Sequence, residues 1–300
     1  MSPDPDPYGS PDARRRLFAE AAREERPDLA LLCLLIAAEA DPALGEAGVD
    51  AAQIELDRLA GLLPYVPARR PAAAPEGGAV RPLDAGPLRW ARNLADLLGD
   101  RCGYRGSPAD YRRLESSLLH EVLRRRRGLP ILLSVVWMEV ARRAGAPVYG
   151  VALPGHFVVG FGDPYGEHVL ADPFDGGRPL TDEDARTLVA GATGAPPTAE
   201  MLSPADPLEI VLRVLNNIRA WAAARPERSD VQLWALDLSL LLPSHPARLR
   251  YERAELLVQR GDFPHGAAEL EEYADVLEPV DPATARAVRQ RAMAARAMLN

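Results

Sequence analysis

The chain has 300 residues, of which 47% are hydrophobic, enough for one large domain or two with a substantial core. Its formal net charge of −8 and pI near 5.3 argue against a generally basic surface for nucleic acid. Cys33 and Cys102 show neither metal-ligand spacing nor a disulfide framework, which favours a reducing cytoplasm.

The first part of the chain is predicted to be helical up to a proline-rich stretch. Residues 1–10 are acidic and rich in proline, unlike a signal peptide, and are predicted to be disordered. Apolar spacing predicts helices across 11–65, where the longest apolar run, 29–38, is too short to span a membrane. The Pro- and Ala-rich stretch 66–82 is predicted to be a linker or loop.

The region 83–200 is predicted to be a compact core that mixes helices and strands. Its arginine run RRRR, residues 124–127, is expected to be a solvated helix end. The segment 130–145, PILLSVVWMEVARRAG, is apolar almost all round over its first two turns and predicts a buried helix. Three β-like runs, PVYGVAL, HFVVGF and EHVLAD, follow it before the turn-rich stretch DPFDGGRPL at 172–180.

The region 204–300 is predicted to be helical throughout, with an internal repeat. LLPSHP at 241–246 and LEPVDP at 277–282 are displaced by 36 residues. That spacing is close to the period of about 34 residues of a tetratricopeptide repeat. An ordinary helical bundle is the alternative interpretation.

Two polar residues stand at the open end of the predicted hairpin. Centring its turn near residue 164 places His156 directly opposite Asp172, where the carboxylate can accept the imidazole N–H and orient the ring. A metal site would need His168 as a further ligand, but strand geometry predicts about 13 Å between His156 and His168. A structural polar pair that closes the sheet is the other alternative.

The run from about 103 to 180 resembles the transglutaminase-like core, with GLP at 128–130, GAP at 145–147, GHF at 155–157 and ADPF at 171–174. More narrowly, GYRGSPADY, RRRRGLPILLS, GVALPGHFVV and DPFDGG are similar to the bacterial SirB-type proteins, in which this core precedes tetratricopeptide-like helices. The expected fold class is therefore α+β and mainly helical. A papain/transglutaminase-like core with a small antiparallel sheet on a central helix would precede an α-helical tetratricopeptide-like region.

The resemblance also implies roles for particular residues. His156 and Asp172 match the catalytic histidine and aspartate of the family, whereas the position of its nucleophilic cysteine is occupied by Pro130. Ser134 is the nearest hydroxyl, one helical turn further along the same face. Its alternative role is that of a buried hydroxyl bonded back to the carbonyl of Pro130.

Two classes of function remain open. In the first, the domain has lost its catalytic nucleophile and binds a protein or peptide, with the helical repeats as a second interaction surface. In the second, it is a hydrolase or acyltransferase in which Ser134 attacks, His156 is the base and Asp172 orients it. Proline at the vestigial nucleophile position, Pro130, favours the first. No cofactor, metal, nucleic acid or membrane is predicted as a partner, and the oligomeric state is left open.

Overall fold

The computed structural model describes residues 8–63 and 86–298. The predicted linker at 66–82 and most of the predicted disordered N-terminus therefore lie outside the described residues. The chain divides into two compact units: residues 28–214, called the core unit, and residues 1–27 with 215–300, called the repeat unit. Within the described ranges, none of the helices combines the length and the apolar character needed to cross a membrane.

The predicted mainly helical α+β class is confirmed. The helices, in chain order, are α1 Pro11–Ala21, α2 Leu29–Ala40, α3 Gly45–Gly61, α4 Pro87–Leu94, α5 Leu119–Arg125, α6 Pro130–Arg143, α7 Asp182–Thr193, α8 Pro207–Ala223, α9 Ser229–Leu241, α10 Arg248–Gln259, α11 Phe263–Leu277 and α12 Pro282–Ala297. A π-helical segment, Ala95–Arg101, continues directly from α4.

Helix α6 is the buried centre of the core unit. Proline fits at its first position because that residue needs no intrahelical N–H partner, and every residue from Pro130 to Ala141 is buried. The one charge in that stretch, Glu139, is 3% exposed and accepts from Arg142 at 2.6 Å. Arg143 also reaches Glu139, at 3.6 Å, and donates to the Gln53 carbonyl of α3 at 3.2 Å. Because a buried carboxylate needs such partners, this network fixes α6 against α3.

A four-stranded antiparallel sheet packs on α6. Its strands are β1 Val148–Val151, β2 Val158–Gly162, β3 His168–Asp172 and β4 Arg178–Leu180, in the order β1-β2-β3-β4. The first three correspond to the predicted runs, whereas β4 lies in the stretch predicted to be only a turn. Helix α7, which the sequence did not indicate, adds Ala185 and Val189 to a cluster with residues of β1, β2 and β3.

The predicted register of the β2–β3 hairpin is wrong by two residues. His168 pairs with Gly162, rather than with Gly160, because five residues, 163–167, form the turn. The turn is centred on Tyr165, and the Asp163 N–H closes it by donating to the Glu167 carbonyl at 3.1 Å. A shift of two preserves which face each side chain occupies, because side chains alternate with a period of two.

In the repeat unit, helices α10, α11 and α12 pack through small residues. Ala254, Leu270, Ala274, Ala285, Val288 and Ala292 form their shared core. Arg253 of α10 links α9 and α11, donating to Asp237 at 2.6 Å and to Glu269. Helix α1 joins the same unit from the other end of the chain, since Arg15 lies 3.1 Å from Asp237.

Candidate functional site

A tight turn before β2 positions His156. The His156 N–H donates to the Leu153 carbonyl at 3.2 Å, and Gly155 between them has φ of 70°. Pro154 and Gly155 thus occupy the central positions that a type II turn prefers, because only glycine adopts the positive φ readily. The dipeptide Pro-Gly is the sequence signal for this turn. It presents the imidazole at the mouth of the sheet without His156 belonging to a strand.

Asp172, the last residue of β3, lies within hydrogen-bond distance of that imidazole. His156 Nε2 and Asp172 Oδ2 are 2.9 Å apart, and the side chains are only 13% and 9% exposed. The second carboxylate oxygen accepts from the Phe174 N–H at 2.9 Å, which fixes the rotamer. An ionised Asp172 requires Nε2 to be the donor, so Nδ1 is the nitrogen left available to a ligand.

The structure thus brings His156 and Asp172 together, although not by the predicted cross-strand pairing. In the observed register Asp172 lies level with Val158, and His156 reaches it from two residues before β2. The two side chains are in contact despite the different register, because the type II turn brings the chain back toward the end of β3.

Ser134 does not meet His156 in the structure. It is fully buried on α6, and its hydroxyl donates to the Phe157 carbonyl at 3.3 Å. The expected bond back to the Pro130 carbonyl is therefore wrong, because the hydroxyl ties α6 to the chain beside His156 instead. Within the described residues, the hydrogen bonds of His156 involve Asp172 and Leu153, so this serine has no base.

Pro130 stands where α6 begins, in a closely packed corner. The Leu129 N–H just before it donates to the Ser116 carbonyl at 2.9 Å. A Cβ on Gly128 would lie 2.7 Å from Val122, so the approach to the helix is narrow. Pro130 is buried and carries no nucleophilic atom.

Two aromatic residues that the sequence reasoning did not assign border the pair. The Phe174 ring meets the His156 ring edge-on, with centroids 5.9 Å apart, and Tyr111 meets Phe174 at 6.2 Å. Burial and the negative charge of Asp172 raise the pKa of Tyr111, so its hydroxyl is held protonated beside the carboxylate. The motifs ADPF and GSPADY contain these residues, and an aromatic residue next to each polar motif was the available signal.

Neither the two cysteines nor His168 takes part in the hydrogen bond of this pair. Cys33 is buried in α2, where burial strongly raises the pKa of its thiol and removes the thiolate that a nucleophile needs. Cys102 follows the π-helical segment, and its carbonyl accepts from Arg126 at 2.9 Å. His168 is exposed, with Nδ1 donating to the Gly166 carbonyl at 3.0 Å. Among the residues that the structure describes, no cluster of three or more His, Cys, Asp or Glu side chains is arranged for a metal.

Fold and site together define a class of protein. It is an α+β domain in which a buried helix carries a small antiparallel sheet, with a histidine–aspartate pair at the sheet's end, followed by packed helical pairs. A model described as the transglutaminase-like superfamily matches residues 51–216, and a tetratricopeptide-repeat model matches residues 218–293. Since the first match covers more than half of the chain, the chain belongs to the transglutaminase-like superfamily. The predicted order of core and repeats is confirmed.

Proteins from bacteria and from animals are similar to this chain. A UPF0162 protein of Xylella fastidiosa strain Temecula1 is 36% identical over 194 residues, covering 61% of this chain and 68% of the relative. A UPF0162 protein of Pseudomonas aeruginosa is 40% identical over 116 residues, covering 37% of this chain and 41% of the relative. F-box only protein 21 of Homo sapiens is 25% identical over 177 residues, covering 56% of this chain and 28% of the relative.

Proposed function

We propose that this protein is a catalytically degenerate transglutaminase-like domain that binds a protein or peptide. The proposal rests on Pro130, which begins α6, has no atom that could attack a carbonyl and occupies the position that the sequence resemblance matches to the nucleophile of the superfamily. The His156–Asp172 pair remains, at 2.9 Å, and offers a peptide an oriented imidazole edge beside two aromatic rings. Such a surface suits binding of peptide amides, whose N–H groups can donate to the free Nδ1.

The geometry of Ser134 supports this reading over the hydrolase or acyltransferase. To attack, the hydroxyl would have to leave the Phe157 carbonyl, which would then be buried without a donor. Leaving a buried carbonyl unpaired costs about 1–3 kcal/mol before any chemistry begins. The serine also lies about 6 Å inside the helix, away from the field of its terminus.

The repeat unit supplies a second surface for a protein partner. A cavity of 710 Å³ opens beside α10, α11 and α12, lined by Tyr251, Tyr273, Thr284, Ala287, Val288, Gln290 and Arg291. The two tyrosine rings lie 5.6 Å apart, and Arg291 is paired with Glu255. Aromatic and arginine side chains of this kind are enriched at protein interfaces. We place this binding activity in the cytoplasm, because Cys33 and Cys102 are free thiols, as expected in a reducing compartment.

Two assays on the full chain separate binding from catalysis. The first offers a glutamine-rich protein with a fluorescent amine, and separately an activated acyl ester. The chain contains no lysine, since all 35 of its Lys and Arg residues are arginine. Its own side chains therefore cannot compete with the fluorescent amine. We expect no turnover above buffer. Turnover that His156→Ala abolishes and His168→Ala does not would contradict the proposal.

The second assay measures binding by fluorescence anisotropy, with a peptide selected from a displayed random library on the full chain. His156→Ala should weaken a peptide bound at the core unit by about tenfold, the effect of losing one hydrogen bond. His168→Ala, which removes an exposed imidazole from the same hairpin, should leave the affinity unchanged. Failure to select any peptide, or equal affinities for both variants, would count against peptide binding at the pair.

A further inference from the structure

A second cavity of the core unit borders the candidate site and has an unusual charge arrangement. Its volume is 410 Å³, and it is lined by Ala95, Asp100, Arg105, Gly106, Phe174, Asp175, Gly176 and Arg178. Phe174 is shared with the site already described, since its ring also meets the His156 ring. His156 and Asp172 do not line this cavity, so it is a separate compartment beside the same aromatic residue.

Close glycine contacts make the walls of the cavity rigid. A Cβ on Gly106 would lie 1.9 Å from the Phe174 ring, and the Gly106 N–H donates to the Phe174 carbonyl at 2.9 Å. A Cβ on Gly99 would lie 2.0 Å from the Gly176 carbonyl oxygen. The backbone of Gly99 packs directly on the backbone of Gly176, and the backbone of Gly106 packs on the Phe174 ring. Because no flexible side chain lies between them, the walls cannot move inward and the cavity is preformed.

Two of the four charges in the wall are already satisfied. Arg178 donates to Asp175 at 2.9 Å and to Asp184 at 3.2 Å. The Arg105 guanidinium has only a long contact, 3.5 Å, to the Gly99 carbonyl and no carboxylate within ion-pair distance in the described ranges. The Asp100 side chain has no hydrogen bond or ion pair with any residue of the described part of the chain. Among the described residues, the wall therefore presents one cation and one anion that no other residue neutralises.

We propose that this cavity binds a small zwitterion, of the size of an amino acid or a dipeptide. The carboxylate of the ligand would accept from the guanidinium of Arg105, and its ammonium would donate to Asp100. Both wall groups are exposed. A ligand that carries both charges forms a charge-assisted hydrogen bond with each of them, whereas an anion or a cation alone forms one such bond and leaves the other group to water. This binding goes beyond the proposed function and does not depend on a peptide at His156.

Three dipeptides of similar size test the proposal on the full chain. Ala-Ala carries both charges, N-acetyl-Ala-Ala only the carboxylate, and Ala-Ala amide only the ammonium. We expect calorimetry to show Ala-Ala binding about tenfold more tightly than either derivative. Arg105→Gln should abolish the advantage of Ala-Ala over Ala-Ala amide, and Asp100→Asn its advantage over N-acetyl-Ala-Ala.

Matched controls lie on the π-helical segment that carries Asp100, outside the cavity. Arg101→Gln and Asp96→Asn remove one exposed charge each, as the test variants do, and should leave all three affinities unchanged. Equal affinity for the three dipeptides, no detectable binding, or equal effects of test and control variants would overturn the proposal. His156→Ala should not change Ala-Ala binding, so a failure of the proposed peptide site is distinguishable from a failure here.

Discussion

At the scale of single residues, Pro130 and His156 determine how reactive a nucleophile at the start of α6 would be. Proline at the first position of α6 is compatible with the helix, and so is cysteine, because neither needs an intrahelical N–H partner there. A thiol at that position would lie at the amino end of a helix of 14 residues. If the position matches the nucleophile of the superfamily, the thiol would also face the imidazole that Asp172 orients. Both influences stabilise a thiolate.

Pro130→Cys should therefore create a reactive thiol, if this position matches the nucleophile of the superfamily. In a Cys102→Ser background, we expect iodoacetamide to alkylate the new cysteine at least about tenfold faster than Cys102 of the parent chain near pH 6, where an ordinary thiol is protonated. Adding His156→Ala should remove most of that advantage. Alkylation at the rate of an ordinary cysteine, with or without His156, would show that the positional match is wrong.

His120 gives the core unit a dependence on pH. Burial lowers the pKa of His120 below its ordinary value, even though Asp41 and Glu121, at 4.0 and 3.7 Å, raise it. Its Nδ1 is also buried, with no hydrogen-bond partner among the described residues. Because the folded state resists protonation, the unfolded chain takes up the proton first as the pH falls. The contribution of His120 to the stability of the core unit is thus fully present above the ordinary histidine pKa of about 6.5. It is lost progressively as the pH falls below that value.

His120→Gln should reduce this loss. We expect urea unfolding to show a smaller fall in stability between about pH 7.5 and about pH 5.5 for the variant than for the parent chain. His168→Gln, which removes an exposed imidazole, is the matched control and should behave like the parent. An identical acid loss in parent and His120→Gln would show that other groups dominate.

At the scale of elements, the hairpin shows what the sequence could and could not predict. Alternation identified β2 and β3, and the motif ends identified His156 and Asp172 as neighbours. The register was missed because Gly-Asp-Pro-Tyr-Gly is compatible with turns of different length, and the contact between Asp163 and Glu167 selects the five-residue form. Strand β4 has only three residues, Arg178–Leu180, too few for a period to be visible.

The π-helical segment and the loop after β3 approach so closely that only glycine fits at their contact. Gly99→Ala should destabilise the core unit by about 1–3 kcal/mol, since its Cβ would overlap the Gly176 carbonyl oxygen and backbone would have to shift. Gly61→Ala at the end of α3 is the control, because a Cβ there would meet no heavy atom of the described residues within 4 Å beyond its own stretch of helix. Urea unfolding should show Gly61→Ala to be neutral or stabilising by up to about 1 kcal/mol. Similar midpoints for the two variants would contradict this packing.

At the scale of the whole molecule, the chain forms two units with separate cores, and both of its ends contribute to one of them. Helix α1 joins the repeat unit through the series of ion pairs from Arg15 to Asp237, Arg253 and Glu269. Apolar spacing predicted a helix in this region but carries no information about which distant helices cover its apolar face. The sequence pattern therefore could not predict that α1 packs in the repeat unit.

Phe18→Ala tests this arrangement. Phe18 is fully buried on α1, so its truncation should cost about 3–5 kcal/mol and should do so in the repeat unit. We expect hydrogen exchange to become faster in peptides from α9 and α10 and to remain unchanged in peptides from α6 and β2. Arg16→Ala removes an exposed side chain of the same helix and should alter neither set. Separate cores can lose stability separately. If exchange in α6 and β2 became faster to the same extent, the two units would unfold as one cooperative body, and the expectation would be wrong.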